Sequence, residues 1–355
     1  MKKILFINPF GIGDVIFTTA LIRAVKDAWP ESYLGYWCNE RTRDLFKHDP
    51  DINKVLGLSR GDLKKVFERS ILEGLRQSLG LFREIKKERF DAALDFSLDH
   101  RYGLVAKLAG IKRRIGLDYR KRGRFLTEKI TIDGYEEKHV VEYYLELLKF
   151  LDLRPKDNKL YVPVTDRMRT GAGLLLGRYG IGGTDILAGI APGAGGSWGT
   201  QASIKHWSAI KYAKLADRIM DEFGAKVLIL GDESERPIAE VIAHAMRNRP
   251  IDLVGRTSLD DLIAVINRLK VLVTNDGGPL HIGVATGIKT VSIFGPVDER
   301  VYGPYPASER HAVVKSDIAC RPCYRKFRMP VCDRDRECIN IIGVDEVFQA
   351  VRRLW

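Results

Sequence analysis

Short apolar segments alternate with amphipathic segments along nearly the whole chain. In the first half the apolar segments are KILFIN, YLGYWC and AALDFS. Helical periodicity lies between them, first from about Asp14 to Ala28. This alternation is typical of a parallel sheet covered by helices, so it predicts an α/β fold.

The same alternation is clearest in the second half. Strands are predicted at ILAGIAP, KVLILG, IDLVG, VLVTND and TVSIFG. Helices are predicted at 207–223, 235–246 and 259–268, with a short one after Gly278. Between the halves, PKDNKLYVPVTDRMRT (155–170) is polar and contains proline, as a linker does. Because 355 residues exceed what one core usually organises, we expect two doubly wound domains, 1–162 and 163–355, with a cleft between them.

Glycines follow several predicted strands at the point where each strand ends. KILFIN is followed by PFGIGD, ILAGIAP by GAGGSWG, KVLILG by DESE and VLVTND by GGPLHIG. Ligands of doubly wound sheets bind at this edge. Glycine there lets the backbone come close to a ligand, and helix N-termini offer N–H groups to phosphate. Turn chemistry can explain any single loop, but the set indicates a nucleotide site.

Two common nucleotide motifs are absent from the sequence. After Gly11 and Gly13, Ile16 occupies the place of the third glycine of G-x-G-x-x-G, and there is no Walker A motif. A nicotinamide dehydrogenase and a P-loop NTPase are therefore disfavoured.

The charge balance predicts an anionic partner. The chain has 58 Lys and Arg against 46 Asp and Glu, a formal net charge of +12. Nucleic acid, a phosphorylated substrate and an acidic membrane face would each satisfy it. Basic residues crowd GIKRRIGLDYRKRGRF (110–125), where a solvated basic face is the ordinary explanation.

The N-terminus does not predict an export signal. The apolar run of MKKILFINPFG is broken by Asn8, Pro9 and Gly11, and no cleavage site follows. No run is long enough to span a bilayer. We expect a cytoplasmic protein whose membrane contact, if any, is peripheral on the cytoplasmic face of the inner membrane.

Four of the five cysteines cluster within 320–338. Cys320, Cys323, Cys332 and Cys338 form the pattern C-x2-C-x8-C-x5-C, and Cys38 stands apart. Four thiolates so close predict a structural zinc or iron site. Free thiols packing a loop, or a disulfide formed in air, remain alternatives.

Four sequence blocks carry a family resemblance. They are GIGDVIFTTALIRAVKDAWP, LDFSLDHRYGLVAKLAGIKRRIGL, APGAGGSW with KHW after it, and TNDGGPLHIGVATGIKTVSIFGPVD followed by YGPY. With them the chain resembles glycosyltransferase family 9, the lipopolysaccharide heptosyltransferases, over nearly its whole length. The resemblance implies the GT-B architecture, two Rossmann-like domains facing a central cleft, with the acceptor on the first and the nucleotide sugar on the second. It implies inverting transfer of a heptose or related sugar from an ADP-sugar to a hydroxyl of the lipopolysaccharide core.

The resemblance assigns catalysis to Asp14. In the family the acid of the GD pair after the first strand is the proposed general base, and Gly13 precedes it on the acceptor side. An inverting transfer needs a base for the proton of the attacking hydroxyl. A carboxylate in a first helical turn can also simply stabilise the helix N-terminus, and both interpretations stay open.

The resemblance places the donor in the second domain. Lys205 of KHW matches a diphosphate-binding lysine, and Asp276 of NDGGPLH matches a donor contact, with the backbone of Gly277 and Gly278 facing the phosphates. The loop GGSWGTQASIKHW before Lys205 is longer than usual in the family.

Two further donor contacts are implied. Glu235 matches an acid that holds the nucleoside, and a helix-start carboxylate is its alternative. His281 matches a donor contact, and a structural histidine is its alternative.

On the acceptor side, the resemblance gives the basic segment a role. Arg120, Lys121, Arg122 and Arg124 become candidates for capturing a phosphorylated acceptor and for docking on anionic lipid. No D-x-D motif ends a predicted strand, and DRD at 333–335 lies among the cysteines. We therefore expect catalysis without a cofactor or divalent ion.

Two alternatives to this function remain. The fold could serve another nucleotide sugar, or a protein or O-antigen acceptor. A basic nucleic-acid-binding protein with a four-cysteine metal knot belongs to another class. It is disfavoured because C-x2-C has no second copy and no recognition motif appears, so we expect no nucleic-acid partner.

Overall fold

The computed structural model describes residues 2–194 and 196–355. The chain forms two compact units, Met1–Leu160 and Tyr161–Trp355. The sequence predicts this boundary two residues later, between residues 162 and 163.

The first unit is a parallel sheet with helices. Its strands are β1 (Lys3–Ile7), β2 (Tyr33–Cys38), β3 (Lys54–Gly57), β4 (Ala92–Asp95), β5 (Arg113–Tyr119) and β6 (Glu128–Ile132). Its helices are α1 (Ile12–Phe17), α2 (Thr19–Ala28), α3 (Arg60–Arg69), α4 (Ile71–Glu88), α5 (His100–Leu108) and α6 (Val140–Leu145), with 3-10 helices at Glu40–Phe46 and Glu146–Leu151. The strand order is β3-β2-β1-β4-β5-β6.

The second unit repeats this plan. Its strands are β7 (Leu187–Ala191), β8 (Lys226–Ile229), β9 (Ile251–Asp252), β10 (Val271–Asn275), β11 (Lys289–Phe294) and β12 (His311–Lys315). Its helices are α7 (Asp166–Gly177), α8 (Ala209–Phe223), α9 (Arg236–Ala245), α10 (Leu259–Arg268), α11 (Gly278–Thr286), α12 (Glu299–Tyr302), α13 (Glu337–Asn340) and α14 (Val344–Leu354), with 3-10 helices at Gly196–Lys205 and Glu233–Glu235. The strand order is β12-β11-β10-β7-β8-β9.

Both sheets reverse their winding direction beside their first strand. In the first unit β1 lies between β2 and β4, with Ile7 paired to Asp95. In the second unit β7 lies between β8 and β10, with Ala191 paired to Thr274. Such a reversal leaves a crevice at the carboxyl ends of the two central strands, which is where doubly wound sheets bind ligands. The predicted α/β class with two Rossmann-like domains, the GT-B type of fold, is confirmed.

Several elements differ from the sequence-based prediction. The helix predicted from Asp14 to Ala28 is two helices, because the Thr18 N–H donates to Val15 O at 3.1 Å, three residues back, and the Asp14 carbonyl accepts from Asn8 Nδ2. Helix α7 begins at Asp166, inside the predicted linker, and its N-cap Thr165 accepts from Met168 N. Strands β3, β5, β6 and β12 were not predicted, because charged or polar residues interrupt their apolar pattern.

The core of the second unit fixes the segment that carries Lys205. Trp207 is 1% exposed and packs edge-on against Tyr212 of α8. Its indole Nε1 donates to Ile342 O at 3.0 Å. An aromatic side chain buried this completely stabilises the fold by about 1.5–3 kcal/mol. The segment is therefore anchored immediately after Lys205.

No helix in the described ranges is both long and apolar enough to cross a bilayer.

Candidate functional site

A buried ion pair lies at the carboxyl edge of the second sheet. Lys205 Nζ donates to Asp276 Oδ2 at 2.7 Å, and the side chains are 7% and 8% exposed. Lys205 ends the 3-10 helix Gly196–Lys205, and Asp276 directly follows β10. Two residues that the sequence predicted for the donor are thus in direct contact. Removing two charges from water is costly unless they pair with good geometry, which this short bond provides.

Asn275 holds the two strand ends together beside the pair. Its side-chain Nδ2 donates to Pro192 O, in the loop after β7. Its Oδ1 accepts from Trp207 N at 3.1 Å. This amide was not predicted, although its position at the end of an apolar strand, before Asp276, was a usable signal. It fixes the loops that carry the ion pair.

The N-terminus of α11 opens next to Asp276. Gly277 is the N-cap residue and has no side chain to cap the helix. A Cβ on Gly277 would lie 3.2 Å from the Ala194 carbonyl, so glycine permits the close approach of the loop after β7. The first N–H groups of such a helix can bind an anion. The backbone of Gly277 and Gly278, predicted to face the phosphates, directly follows Asp276, which binds Lys205.

His281 lies in the first turns of α11. It is 4% exposed, and burial lowers its pKa to about 4 although Asp276 acts in the opposite direction. The imidazole is neutral at pH 7. His281 can contribute a hydrogen bond or packing, but not a positive charge. His206, which follows Lys205 in the sequence, was not predicted. Burial lowers its pKa, and so do the charges of Arg336 and Lys205.

Glu235 starts a helix and faces the end of β7. The Asp232 backbone N–H donates to Glu235 Oε2 at 3.0 Å, and the two residues form a capping box. The carboxylate lies against Gly193, where a Cβ would be 1.5 Å from Oε1. The helix-start interpretation is thus confirmed. The nucleoside contact remains a prediction, with the carboxylate at the correct sheet edge.

Asp14 lies in the first turn of α1, half-buried, with Gly13 immediately before it and Gly11 as N-cap residue. The loop that leads to it is held by Asn8, which is fully buried. Asn8 Nδ2 donates to Asp14 O at 2.9 Å, and Asn8 Oδ1 accepts from Phe10 N at 3.2 Å. The carboxylate therefore stands on a fixed turn at the carboxyl edge of the first sheet.

A small, partly open cavity of about 10 Å³ lies at the same edge of the first unit, beyond β4. Its lining includes Asp95, Asp99, His100 and Arg122. Burial raises the pKa of Asp95 to about 6, against the opposing effect of hydrogen bonds from Ser97. Asp95 was not predicted, although it lies within the predicted strand AALDFS, and β4 ends at it, at the place where the sheet reverses. A cavity of this volume has room for about one water molecule, with Asp95, Asp99 and Arg122 in its wall.

The predicted basic residues occupy the turn between β5 and β6. Arg120 and Lys121 have left-handed backbone, with φ of 51° and 58°. The guanidinium of Arg120 stacks over Tyr119 at 5.0 Å, and that of Arg124 stacks over Phe125 at 5.0 Å. All four are exposed, and only Arg122 lines the cavity.

The predicted metal site at the cysteines is not supported. In the described part of the chain, no three His, Cys, Asp or Glu side chains are grouped to hold a metal ion. Cys338 is 5% exposed in the apolar core, whereas Cys320 and Cys332 are exposed. Burial first, and then the nearby thiols of Cys323, Cys320 and Cys332, raise the pKa of Cys338 to about 11. All five cysteines, Cys38 and Cys323 included, are free thiols.

Comparison with known proteins agrees with this architecture. The family model described as glycosyltransferase family 9 (heptosyltransferase) matches residues 78–329. Lipopolysaccharide heptosyltransferase 2 of Escherichia coli K12 is 25% identical over 334 residues, covering 89% of this chain and 92% of that protein.

Solved structures resemble the whole chain. The family 9 glycosyltransferase of Veillonella parvula superposes with a TM-score of 0.84 at 24% identity, covering 99% of this chain and 97% of the other. The E. coli ADP-heptose lipopolysaccharide heptosyltransferase II superposes with a TM-score of 0.77 at 20% identity, covering 100% and 98%. At these identities the superpositions show the fold.

Proposed function

The chain belongs to glycosyltransferase family 9, the heptosyltransferase family, and from that premise we propose that it transfers a heptose from an ADP-sugar to a hydroxyl of a lipopolysaccharide core acceptor. It is a glycosyltransferase; the donor, the acceptor and the inverting, metal-independent course are the proposal. The names of two similar proteins support it, since one is a lipopolysaccharide heptosyltransferase and the other acts with ADP-heptose.

The donor assignment rests on one observation, the Lys205–Asp276 pair beside the N-terminus of α11. A sugar diphosphate offers oxygens that the helix N–H groups and the lysine can bind. Asp276 holds the ammonium in place before the donor arrives. During transfer Lys205 stabilises the negative charge that grows on the diphosphate, which is the task a divalent ion performs in metal-dependent transferases.

Asp14 is the proposed base. The acceptor oxygen forms a bond to the anomeric carbon while the bond from that carbon to the diphosphate breaks. The bonding electron pair leaves with ADP, and the hydroxyl proton passes to the Asp14 carboxylate. Because attack and departure occur on opposite faces of the sugar, the configuration at the anomeric carbon inverts.

The open surface beyond β4, around the small cavity that Asp95 and Arg122 line, is the proposed acceptor subsite. Asp95 Oδ1 accepts from Ser97 N at 2.9 Å, which orients the carboxyl for a sugar hydroxyl. Arg122 at the cavity, with Arg120, Lys121 and Arg124 nearby, would attract a phosphorylated glycan. Such an acceptor is attached to lipid, so the enzyme would work at the cytoplasmic face of the inner membrane.

Calorimetric titration with ADP, GDP and UDP tests the donor. We expect ADP to bind best, and Lys205→Met to abolish binding. Tighter binding of GDP or UDP than of ADP would mean that the donor sugar is carried by another nucleotide. If none of the three nucleotides binds, the nucleotide-sugar assignment is refuted.

Turnover tests the base separately. We expect Asp14→Asn to lower kcat with ADP-heptose about 100- to 10,000-fold with ADP affinity unchanged, because removing a general base typically costs this much. A variant that keeps its kcat would overturn the role of Asp14.

A further inference from the structure

Helix α4 exposes an apolar stripe. Ile71, Leu72, Leu75 and Leu79 are 68%, 81%, 49% and 51% exposed. Buried residues of this 18-residue helix are confined to Gly74 and Ile85 among those described. Residues spaced by three and four positions share one helix face, so Leu72, Leu75 and Leu79 form a continuous strip. Scattered exposed leucines are ordinary, but an unbroken strip on one helix is not.

The strip continues into basic residues. Arg83 follows Leu79 by four positions, and Lys86 and Lys87 follow Arg83 by three and four, which extends the same face towards the helix C-terminus. All three side chains are exposed and make no ion pair within the residues described. We call Leu72, Leu75, Leu79, Arg83, Lys86 and Lys87 the α4 face.

The acidic residues of the helix are neutralised by cations. Glu73 binds Arg76 with two bonds of 2.8 and 2.9 Å. Glu84 lies 3.0 Å from the Lys54 ammonium, and Glu88 lies 4.0 Å from Lys3. The remaining charge of the α4 face is therefore positive.

The preceding helix widens this surface. Phe67 of α3 is 37% exposed, and its ring lies across Gly74, where a Cβ would be 2.5 Å from the ring. Lys64 and Lys65 are exposed on the same helix. The ring and Lys65 add one apolar and one basic group beside the α4 face, whereas Lys64 is paired with Glu68 at 3.7 Å.

We propose that the α4 face lies on an anionic phospholipid bilayer. Leucines beside lysines and arginines are the composition of interfacial helices, whose apolar side chains enter the headgroup boundary while the cations bind acidic lipids. The positive charge of the α4 face favours an anionic bilayer over a second copy of this chain, because two positive α4 faces would repel each other. The proposal stands independently of the sugar-transfer assignment.

Vesicle flotation tests the proposal. The wild-type chain is mixed with vesicles of phosphatidylcholine alone or with one third phosphatidylglycerol. We expect binding only to the anionic vesicles, and its loss at about 1 M salt, where the Debye length falls to about 3 Å. Absence of binding to the anionic vesicles would overturn the proposal.

Two variants locate the surface. The triple change Leu72→Ser, Leu75→Ser and Leu79→Ser should weaken anionic-vesicle binding about tenfold or more, since interfacial binding scales with buried apolar area. Changing Arg83, Lys86 and Lys87 to Gln should weaken it about fivefold per charge. Both changes affect exposed side chains, so thermal unfolding should stay near that of the wild type.

Matched controls lie in the second unit. Leu174, Ile210 and Val241 are 68%, 46% and 46% exposed, and their triple change to Ser should leave binding unchanged. Arg167, Arg178 and Arg249 are exposed, and changing them to Gln is the control for charge. Equal losses in the controls would overturn the assignment to α4. So would light scattering that finds a wild-type dimer, a monomeric leucine variant and no lipid binding.

Discussion

Lys205 Nζ and Asp276 Oδ2 are 2.7 Å apart, and neither side chain is more than 8% exposed. The two residues are 71 positions apart in the chain. Each charge therefore depends on the other for its burial, at the point where the proposed donor diphosphate would bind.

Breaking this pair should be more costly than replacing it. We expect Lys205→Met to lower the free energy of unfolding by about 3–5 kcal/mol, because it leaves a buried carboxylate without its cation. The double variant Lys205→Met with Asp276→Leu should recover most of that loss. Urea unfolding of both measures the difference.

The same double variant separates stability from binding. It should still fail to bind ADP by calorimetry, since the lysine is missing. Losses that simply add in the double variant would show that the two side chains are not coupled.

Asp95 should make stability fall as pH rises. Its folded-state pKa, about 6, lies above the ordinary unfolded value, so the folded chain retains a proton between pH 4 and 6 that the unfolded chain releases. The stabilisation is complete below about pH 4, and about 3 kcal/mol is lost by pH 7. Asp95→Asn mimics the protonated carboxyl and should remove this dependence.

Urea unfolding at pH 4 and pH 7 checks this prediction. Above pH 6 the Asp95→Asn variant should be more stable than the wild type. A difference between variant and wild type that stays constant with pH would contradict it.

His281 should act in the opposite direction. Its folded-state pKa, about 4, lies below the unfolded value, so at pH 4–6.5 the unfolded chain binds the extra proton. The stabilisation is present above about pH 6.5 and is lost as pH falls towards 4, by about 3 kcal/mol. His281→Gln should remove this part of the pH dependence of the free energy of unfolding. The part due to His311, whose pKa is also lowered to about 4, should remain.

Urea unfolding of the wild type and of His281→Gln between pH 4 and 7 measures the contribution of His281 to the free energy of unfolding. NMR titration of His281 gives a second check. An imidazole that titrates near pH 6.5 would refute the buried neutral state.

Gly193 should be intolerant of a side chain. A Cβ there would overlap Glu235 Oε1, so Gly193→Ala must displace the carboxylate from its capping box. We expect a loss of about 1–3 kcal/mol in the free energy of unfolding, as for other overpacked sites. Gly183→Ala is the control, since nothing lies within 4 Å of its Cβ.

Glu235→Gln then distinguishes the two roles of this acid. The amide can still accept the Asp232 N–H, so stability should change little, while ADP affinity should fall if the carboxylate holds the nucleoside. Unchanged ADP affinity would leave Glu235 with the helix-start role alone.

Local pattern was sufficient for much of the fold. Helix α10 was predicted as 259–268 and is Leu259–Arg268, because Ser258 and Asp261 form a capping box around a regular apolar period. The glycines after β10 likewise indicated a helix N-terminus at a sheet edge. These features depend on residues a few positions apart.

Residue pattern alone indicated the α/β class, the two-domain organisation, the family resemblance and the residue types at the strand ends. Contacts between distant segments are what pair Lys205 with Asp276, bury Asp95 beside a small cavity and place Cys338 in the apolar core. Burial and charge pairing depend on distant segments meeting, and such meetings leave no local period in the sequence.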